Sequence, residues 1–240
     1  LEATGQTPSG WLIHDMNRPR PPIVVPAPQT LPVPAPSDAR VLFDGTDLNQ
    51  WRSADGGPAK WVVGDGYMES VPDSGYLFSA DGFGDIQLHV EWAAPANPSG
   101  KGQERGNSGV FLMSKYEIQV LDCYQNDTYP DGQAAAIYGQ HPPLVNACLP
   151  PGEWQSYDIV FRRPRFNSQG EVTSPALITA LHNGVLVHDD REVWGPTSWL
   201  QHFPYESHAD RLPLALQDHG NPVRYRNIWL RELAEKEPTP

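Results

Sequence analysis

The chain has 240 residues, 39% of them hydrophobic and 19% charged, and a formal net charge of -12, a composition ordinary for a globular protein with a sizeable core. Lys and Arg are scattered along it, which excludes a nucleic-acid partner, because phosphate-backbone binding rests on clustered basic residues. Runs of eighteen or more apolar residues do not occur, so no membrane span is predicted.

From the N-terminus, residues 18–36, "RPRPPIVVPAPQTLPVPAP", hold eight of the 26 prolines, which favours polyproline II over helix or inner strand. Residues 1–37 are expected to form an extended Pro-rich arm or linker. Two readings of it stay open: a spacer ahead of the folded domain, or a strap laid along the domain and anchored by Trp11 and Ile13. The chain starts at Leu1 rather than methionine, as a processed chain would. The folded domain is placed at residues 38–235.

Within that domain, short apolar or alternating runs are separated by Gly, Pro, Asn and Asp at spacings that suit an all-β sandwich. They are "RVLF", "KWVVGDGYMES", "GYLFS", "DIQLHVEW", "SGVFLM", "YEIQVLD", "YDIVFR", "ALITALH", "VLVHD", "LPLALQD" and "VRYRNIWL". Asn183-Gly184 between two of these runs predicts a type I′ hairpin. Helical periodicity of useful length is absent, and so is an internal repeat, which counts against a propeller or solenoid.

Alternation sorts the polar residues, because side chains along a strand point to opposite faces in turn. Gln87, His89 and Glu91 share one face of "DIQLHVEW", and Glu117 and Gln119 share one face of "YEIQVLD". Gln217 and His219 lie opposite Leu214 and Leu216. These are Gln, His and Glu with few Lys, unlike an ordinary solvated face. Tyr124, Tyr138, Trp194 and Trp199 lie nearby. Amides, imidazoles and aromatic platforms suit a carbohydrate partner, whose ring stacks on an aromatic face while paired polar groups read its hydroxyls.

Other chemistries have no motif here: no GxSxG, no HExxH, no phosphate loop and no GxGxxG after a strand. "GQERGNSGV" reads as a loop and bulge. The acidic loop "DCYQNDTYPDG" offers oxygens to calcium but does not match the EF-hand spacing. Cys123 and Cys148 match no zinc pattern; they are expected to form a disulfide in an oxidising compartment, or to stay buried thiols in cytosol.

Nine pieces in order, "VLFDGTDLNQW", "WVVGDGYM", "DIQLHVEW", "GNSGVFL", "YEIQVLD", "AAAIYG", "GEWQSYDIVF", "NGVLVHD" and "LQDHGNPVRYRNIW", resemble the 3-keto-disaccharide hydrolase domain of secreted bacterial proteins. The resemblance covers residues 39–233. It implies a concanavalin-like antiparallel β-sandwich (jelly roll), a hydrolase acting on 3-keto sugars, and a secreted or periplasmic location, with the N-terminal arm as a tether. Matched to the family's signature are Asn107, Glu117, Gln119, Asp122, Tyr138, Gln217, His219, Arg226 and Asn227. Structural alternatives stay open for four of them: Asn107 as a turn former, Asp122 as a buried partner of a turn or arginine, Arg226 as an ion pair holding the last strand, and Asn227 as a strand-end cap.

Laminarinase-type glycosidases place acidic residues along one strand as ExDxE, whereas this run is Glu117, Gln119, Leu121. A keto group at C3 relaxes the need for a second carboxyl, because it acidifies the C2 proton and lets the bond at C1 leave by elimination. Glu117 is then the expected base and His219 its partner at the leaving oxygen. Asn107, Gln119, Asp122, Tyr138, Gln217, Arg224 and Arg226 are the expected substrate contacts, with His89 and Glu91 as the next candidates. No cofactor is required, although a divalent metal held by His219 or Glu117 could polarise the enolate. The competing readings are a non-catalytic carbohydrate-binding module and a glycosidase acting on unoxidised sugars.

Overall fold

The computed structural model describes residues 5–235. Its strands are β1 (Arg40–Phe43), β2 (Trp51–Ser53), β3 (Val62–Gly64), β4 (Tyr67–Glu69), β5 (Leu77–Phe83), β6 (Ile86–Ala93), β7 (Ser108–Leu112), β8 (Tyr116–Val120), β9 (Gln155–Arg162), β10 (Arg165–Phe166), β11 (Val172–Ser174), β12 (Leu177–His182), β13 (Val185–Glu192), β14 (Leu212–Leu216) and β15 (Arg224–Glu232). Every run read from the sequence becomes a strand, and the short β2, β10 and β11 are additions. The Asn183-Gly184 turn has positive φ at both residues, 51° and 76°, as a type I′ hairpin requires.

The strands form an antiparallel β-sandwich. One sheet runs β13-β12-β9-β6-β15-β4-β3, with β1 also on β15, and the other runs β2-β5-β14-β7-β8. The core between them comes from alternate residues of both sheets: Leu88, Val90 and Trp92 of β6, Ile118 and Val120 of β8, and Leu214 and Leu216 of β14 are each at most 1% exposed. Two core tyrosines of the larger sheet reach across. Tyr157 donates to Gln119 O at 2.7 Å, and Tyr225 shares a 2.6 Å hydrogen bond with Ser108 Oγ. Each satisfies a polar tip that burial would otherwise penalise, and each fixes β7 or β8 against the opposite sheet.

The arm is the strap of the two readings. Ile13 is buried, whereas Trp11 is partly exposed. Further along, Ile23 bridges in parallel to Asn146, with Val24 N donating to Asn146 O at 2.9 Å. Val33 then meets the outer face of the larger sheet, donating its N–H to Glu91 Oε1 at 2.8 Å.

Cys123 and Cys148 are free rather than disulfide-bonded. Cys123 Sγ accepts from Ala134 N at 2.8 Å. Burial, then the neighbouring Cys123 thiol, pushes the Cys148 thiol well above its ordinary pKa.

Candidate active site

The site lies on the outer face of the five-stranded sheet. Because Tyr116, Ile118 and Val120 point into the core, Glu117 and Gln119 of β8 must point out. Asn107 and Phe111 of the β7 run, Tyr76 ahead of β5 and Gln217 after β14 reach the same side. These residues, with Tyr138, Thr197, Ser198, Trp199 and His219, line a cavity of about 250 Å³.

Two loops wall it. Residues 135–138 cover the free edge of β8: Ala135 N donates to Gln119 O at 2.9 Å, Gln119 N to Ala136 O at 3.0 Å, and Tyr138 N to Glu117 O at 3.2 Å. The second loop is pinned where Thr197 N donates to Lys115 O at 2.8 Å and Thr197 Oγ1 accepts from Glu117 N at 3.0 Å. Trp199 projects from it, 69% exposed.

Glu117 sits at the floor, 3% exposed. Its carboxyl makes no hydrogen bond or ion pair among the described residues, and burial pushes its pKa up to about 8. Gly109 leaves room for it: a Cβ there would lie 3.1 Å from Glu117 Cδ and collide with Oε1.

Around this carboxyl the amides are half used. Gln119 Nε2 donates to Gln103 Oε1 at 2.9 Å and to Gly132 O at 3.2 Å, and Gln217 Nε2 to the Tyr76 hydroxyl at 2.6 Å. The Oε1 atoms of both glutamines are buried without a partner. Buried acceptors left open are costly, and a ligand's hydroxyls would satisfy them. Tyr76, its oxygen already accepting from Gln217, has its own hydrogen to donate, and burial first among the causes raises its pKa, so it stays protonated. Asn107 Nδ2 donates to Gln103 O at 2.8 Å. His219 is exposed at the mouth.

The structure therefore brings together Asn107, Glu117, Gln119, Tyr138, Gln217 and His219, and it separates the other expected contacts. Asp122 is a buried ion-pair partner, receiving Arg105 Nε at 2.9 Å and Nη2 at 2.5 Å, while its Oδ1 accepts from Tyr124 N at 3.1 Å. His89, Glu91, Arg224 and Arg226 lie on the outer face of the larger sheet, across the core from the cavity. Arg226 donates to Glu91 at 2.7 Å and covers the Trp154 ring at 4.1 Å; Arg224 donates to Glu69 at 2.8 Å. His89 donates to Asp158 at 2.7 Å. Burial opposes the charge on His89, but the carboxylates of Asp158 and Glu91 prevail and raise its pKa. Glu91, despite burial, is held down to about 2 by His89, Asn227, Arg226 and Val33 N. Asn227 donates to Glu91 and to Val33 O at 2.8 and 2.7 Å. It is the extra residue of a bulge, in the left-handed region at φ 47°.

Sequence reasoning missed Tyr76, Phe111, Thr197 and Ser198 and left Trp199 without a role. Tyr76 had a signal: it alternates with Leu77, which faces the core. The 197–199 loop had none, since it belongs to no strand. Glu117 and His219 share the cavity, but among the described residues no group of three or more His, Cys, Asp or Glu converges where it could hold a metal ion.

Over residues 38–231 the sequence matches the 3-keto-alpha-glucoside-1,2-lyase-like domain. The chain belongs to this family. It is similar to the 3-keto-disaccharide hydrolase of Bacteroides thetaiotaomicron, 26% identical over 262 residues that cover 85% of this chain and 82% of that one. The crystal structure of a candidate glycosyl hydrolase from Parabacteroides distasonis is 43% identical, covers 90% of this chain and 93% of its own, and superposes with a TM-score of 0.82. A second candidate glycosyl hydrolase from the same organism, 17% identical with a TM-score of 0.59 over 82% of this chain and 94% of its own, shares the fold alone.

Proposed function

We propose that this chain is an enzyme that cleaves 3-keto-glycosides, 3-keto-disaccharides among them, by elimination and hydration. The observation that carries the reading is a single carboxyl, Glu117, in a cavity otherwise lined by amides, hydroxyls, aromatics and one imidazole. Glycosidases acting on ordinary sugars use two carboxyls, about 5 Å apart when retaining and roughly 6.5–9.5 Å apart when inverting. One carboxyl suffices for a substrate whose C2 proton is already acidic. The activity named for the Bacteroides relative supports the same choice of substrate.

In this reading Glu117, in its ionised form, takes the C2 proton, and the Tyr76 hydroxyl donates to the negative charge that builds on the C3 oxygen. The electrons of the C2–H bond become the C1–C2 double bond as the C1–O bond breaks. His219, at the mouth where the aglycone departs, protonates the leaving oxygen. His219 then takes a proton from the water whose oxygen adds at C1, and Glu117 returns its proton to C2, so the sum is hydrolysis and both groups end in their starting states. A carboxylate whose pKa is near 8 is a stronger base than an ordinary one, although only roughly a tenth of it is ionised at pH 7. The open Gln119 and Gln217 oxygens accept from sugar hydroxyls.

Incubating the protein with one disaccharide and with its 3-keto derivative tests this. Cleavage of the keto sugar alone is expected. Saturable binding of both without turnover would make the protein a binding module, and cleavage of the unoxidised disaccharide would make it an ordinary glycosidase.

A further inference from the structure

Behind the cavity wall stands a part of the chain outside the residues that match the family. Ile13 is 6% exposed, and its Cγ2 lies 3.5 Å from where a Cβ on Gly139 would be, with Ser198 O of the opposite loop 3.7 Å from the same point. Next to it, His14 donates its backbone N–H to Asp131 Oδ2 at 3.0 Å. The His14 ring stacks on Tyr129, with centroids 3.8 Å apart and planes at 16°, and meets Tyr138 edge-on at 5.1 Å. Tyr129 and Tyr138 share a hydroxyl hydrogen bond of 2.9 Å, and Tyr138 lines the cavity. Arg18 closes the patch, donating to Gln140 O at 3.1 Å.

These contacts have a direction. Tyr138 is fixed to Glu117 by its backbone, and its ring meets those of Tyr129 and His14, which lead back to the arm. Gly139 lies between Ile13 and Ser198, and a Cβ on Gly5 of the arm would lie 3.6 Å from Leu200 O, so the arm borders both walls. Burial pushes the His14 pKa down to about 4, and its Nε2 has no partner, so the imidazole works as a neutral, flat ring.

We propose that residues 5–18 of the arm belong to the active site, with His14 as a positioning residue that sets the Tyr138 wall through Tyr129, and Ile13 as the wedge that spaces it from the 197–199 loop. The arm would thus fix how a sugar ring presents its C2 to Glu117. For its catalytic readout the inference rests on the proposed cleavage of 3-keto-glycosides.

The test compares His14→Ala and His14→Phe in the full chain, since phenylalanine keeps a flat ring and places no unpartnered nitrogen there. Amide hydrogen exchange, which needs no substrate, is expected to rise in His14→Ala across residues 130–140 and 195–201 while the core strands of the larger sheet stay protected. It should return in His14→Phe. On a 3-keto-disaccharide, kcat/KM is expected to fall on the order of tenfold or more in His14→Ala, with kcat lowered as well as KM raised because the reacting carbon is misplaced; His14→Phe should recover most of it. Unchanged exchange in His14→Ala overturns the inference, and so does raised exchange with unaltered kcat/KM. Should the wild-type chain cleave no 3-keto-disaccharide, the proposed activity falls, and exchange still decides whether the arm holds the wall.

Discussion

Glu117 lies across Gly109, so that a methyl group on that glycine would strike the carboxyl oxygen. The glycine's φ is not in the left-handed region, so the backbone itself would accept alanine and only the side-chain clash is at stake. Gly109→Ala is expected to leave a folded protein, with stability changed by about 1–3 kcal/mol as for other overpacked sites. Its turnover of a 3-keto-disaccharide should drop at least tenfold, on the order expected for moving a general base. Wild-type turnover in a folded Gly109→Ala would show that the carboxyl position is unimportant.

Glu117→Gln keeps the shape and removes the base. Calorimetry with a non-reacting disaccharide should show binding close to wild type, while single-turnover cleavage of the keto sugar falls by about 10² or more. Near-normal turnover would move the base to another group, the first to test being His219, the imidazole of the cavity.

The buried Glu117 also links stability to pH. Its folded-state pKa of about 8 lies above the unfolded value of roughly 4.3, so the folded state holds a proton that the unfolded state releases. The stabilising contribution is complete below pH about 4 and declines as pH rises to about 8, by an amount on the order of a few kcal/mol. Denaturant midpoints at pH 5 and pH 8 should differ more in wild type than in Glu117→Gln. The same group predicts a rising limb in kcat/KM with an apparent pKa near 8. Equal midpoint differences in the two proteins would contradict the assignment.

Outside the cavity the expected effects reverse. Arg226→Ala strips a cation from the fully buried Glu91, and Arg105→Ala does the same to Asp122. Each leaves a buried carboxylate short of its ion-pair partner, a change that costs about 3–5 kcal/mol when the pair is buried and unreplaced. Thermal melts should show the loss. Sugar affinity of the folded fraction should stay unchanged, and a selective loss of affinity in Arg226→Ala would return that arginine to the site.

How much was legible follows from what alternation encodes. Period two told which residues of β6, β8 and β14 face the core, and Glu117, Gln119 and Gln217 were placed correctly on outward faces. It could not tell which outward face, because two sheets packed core to core present the same pattern. His89 and Glu91 therefore looked like neighbours of Glu117 when they lie on the opposite side of the molecule. Asp122 and Arg226 take the structural alternatives that the sequence left open, and it could not choose between the readings because a carboxylate or guanidinium has the same letter whether it meets substrate or an ion-pair partner distant in sequence. Trp199 and Thr197 sit on an irregular loop, whose position depends on packing rather than on any local repeat.

The bulge at Asn227 bears on how the arm came to be held. Without that residue, Arg226, Ile228, Trp229 and Leu230 would alternate between the outer and core faces along an unbroken strand, matching their present pairing on β6. Asn227 is thus spare to the sheet, and its side chain is spent on Val33 O and Glu91. Deleting that one residue should regularise β15 and remove one of the strap's holds, the bond from Asn227 to Val33 O, while Val33 N on Glu91 and Val24 N on Asn146 remain, so a residue the larger sheet could lose and still close serves the arm instead.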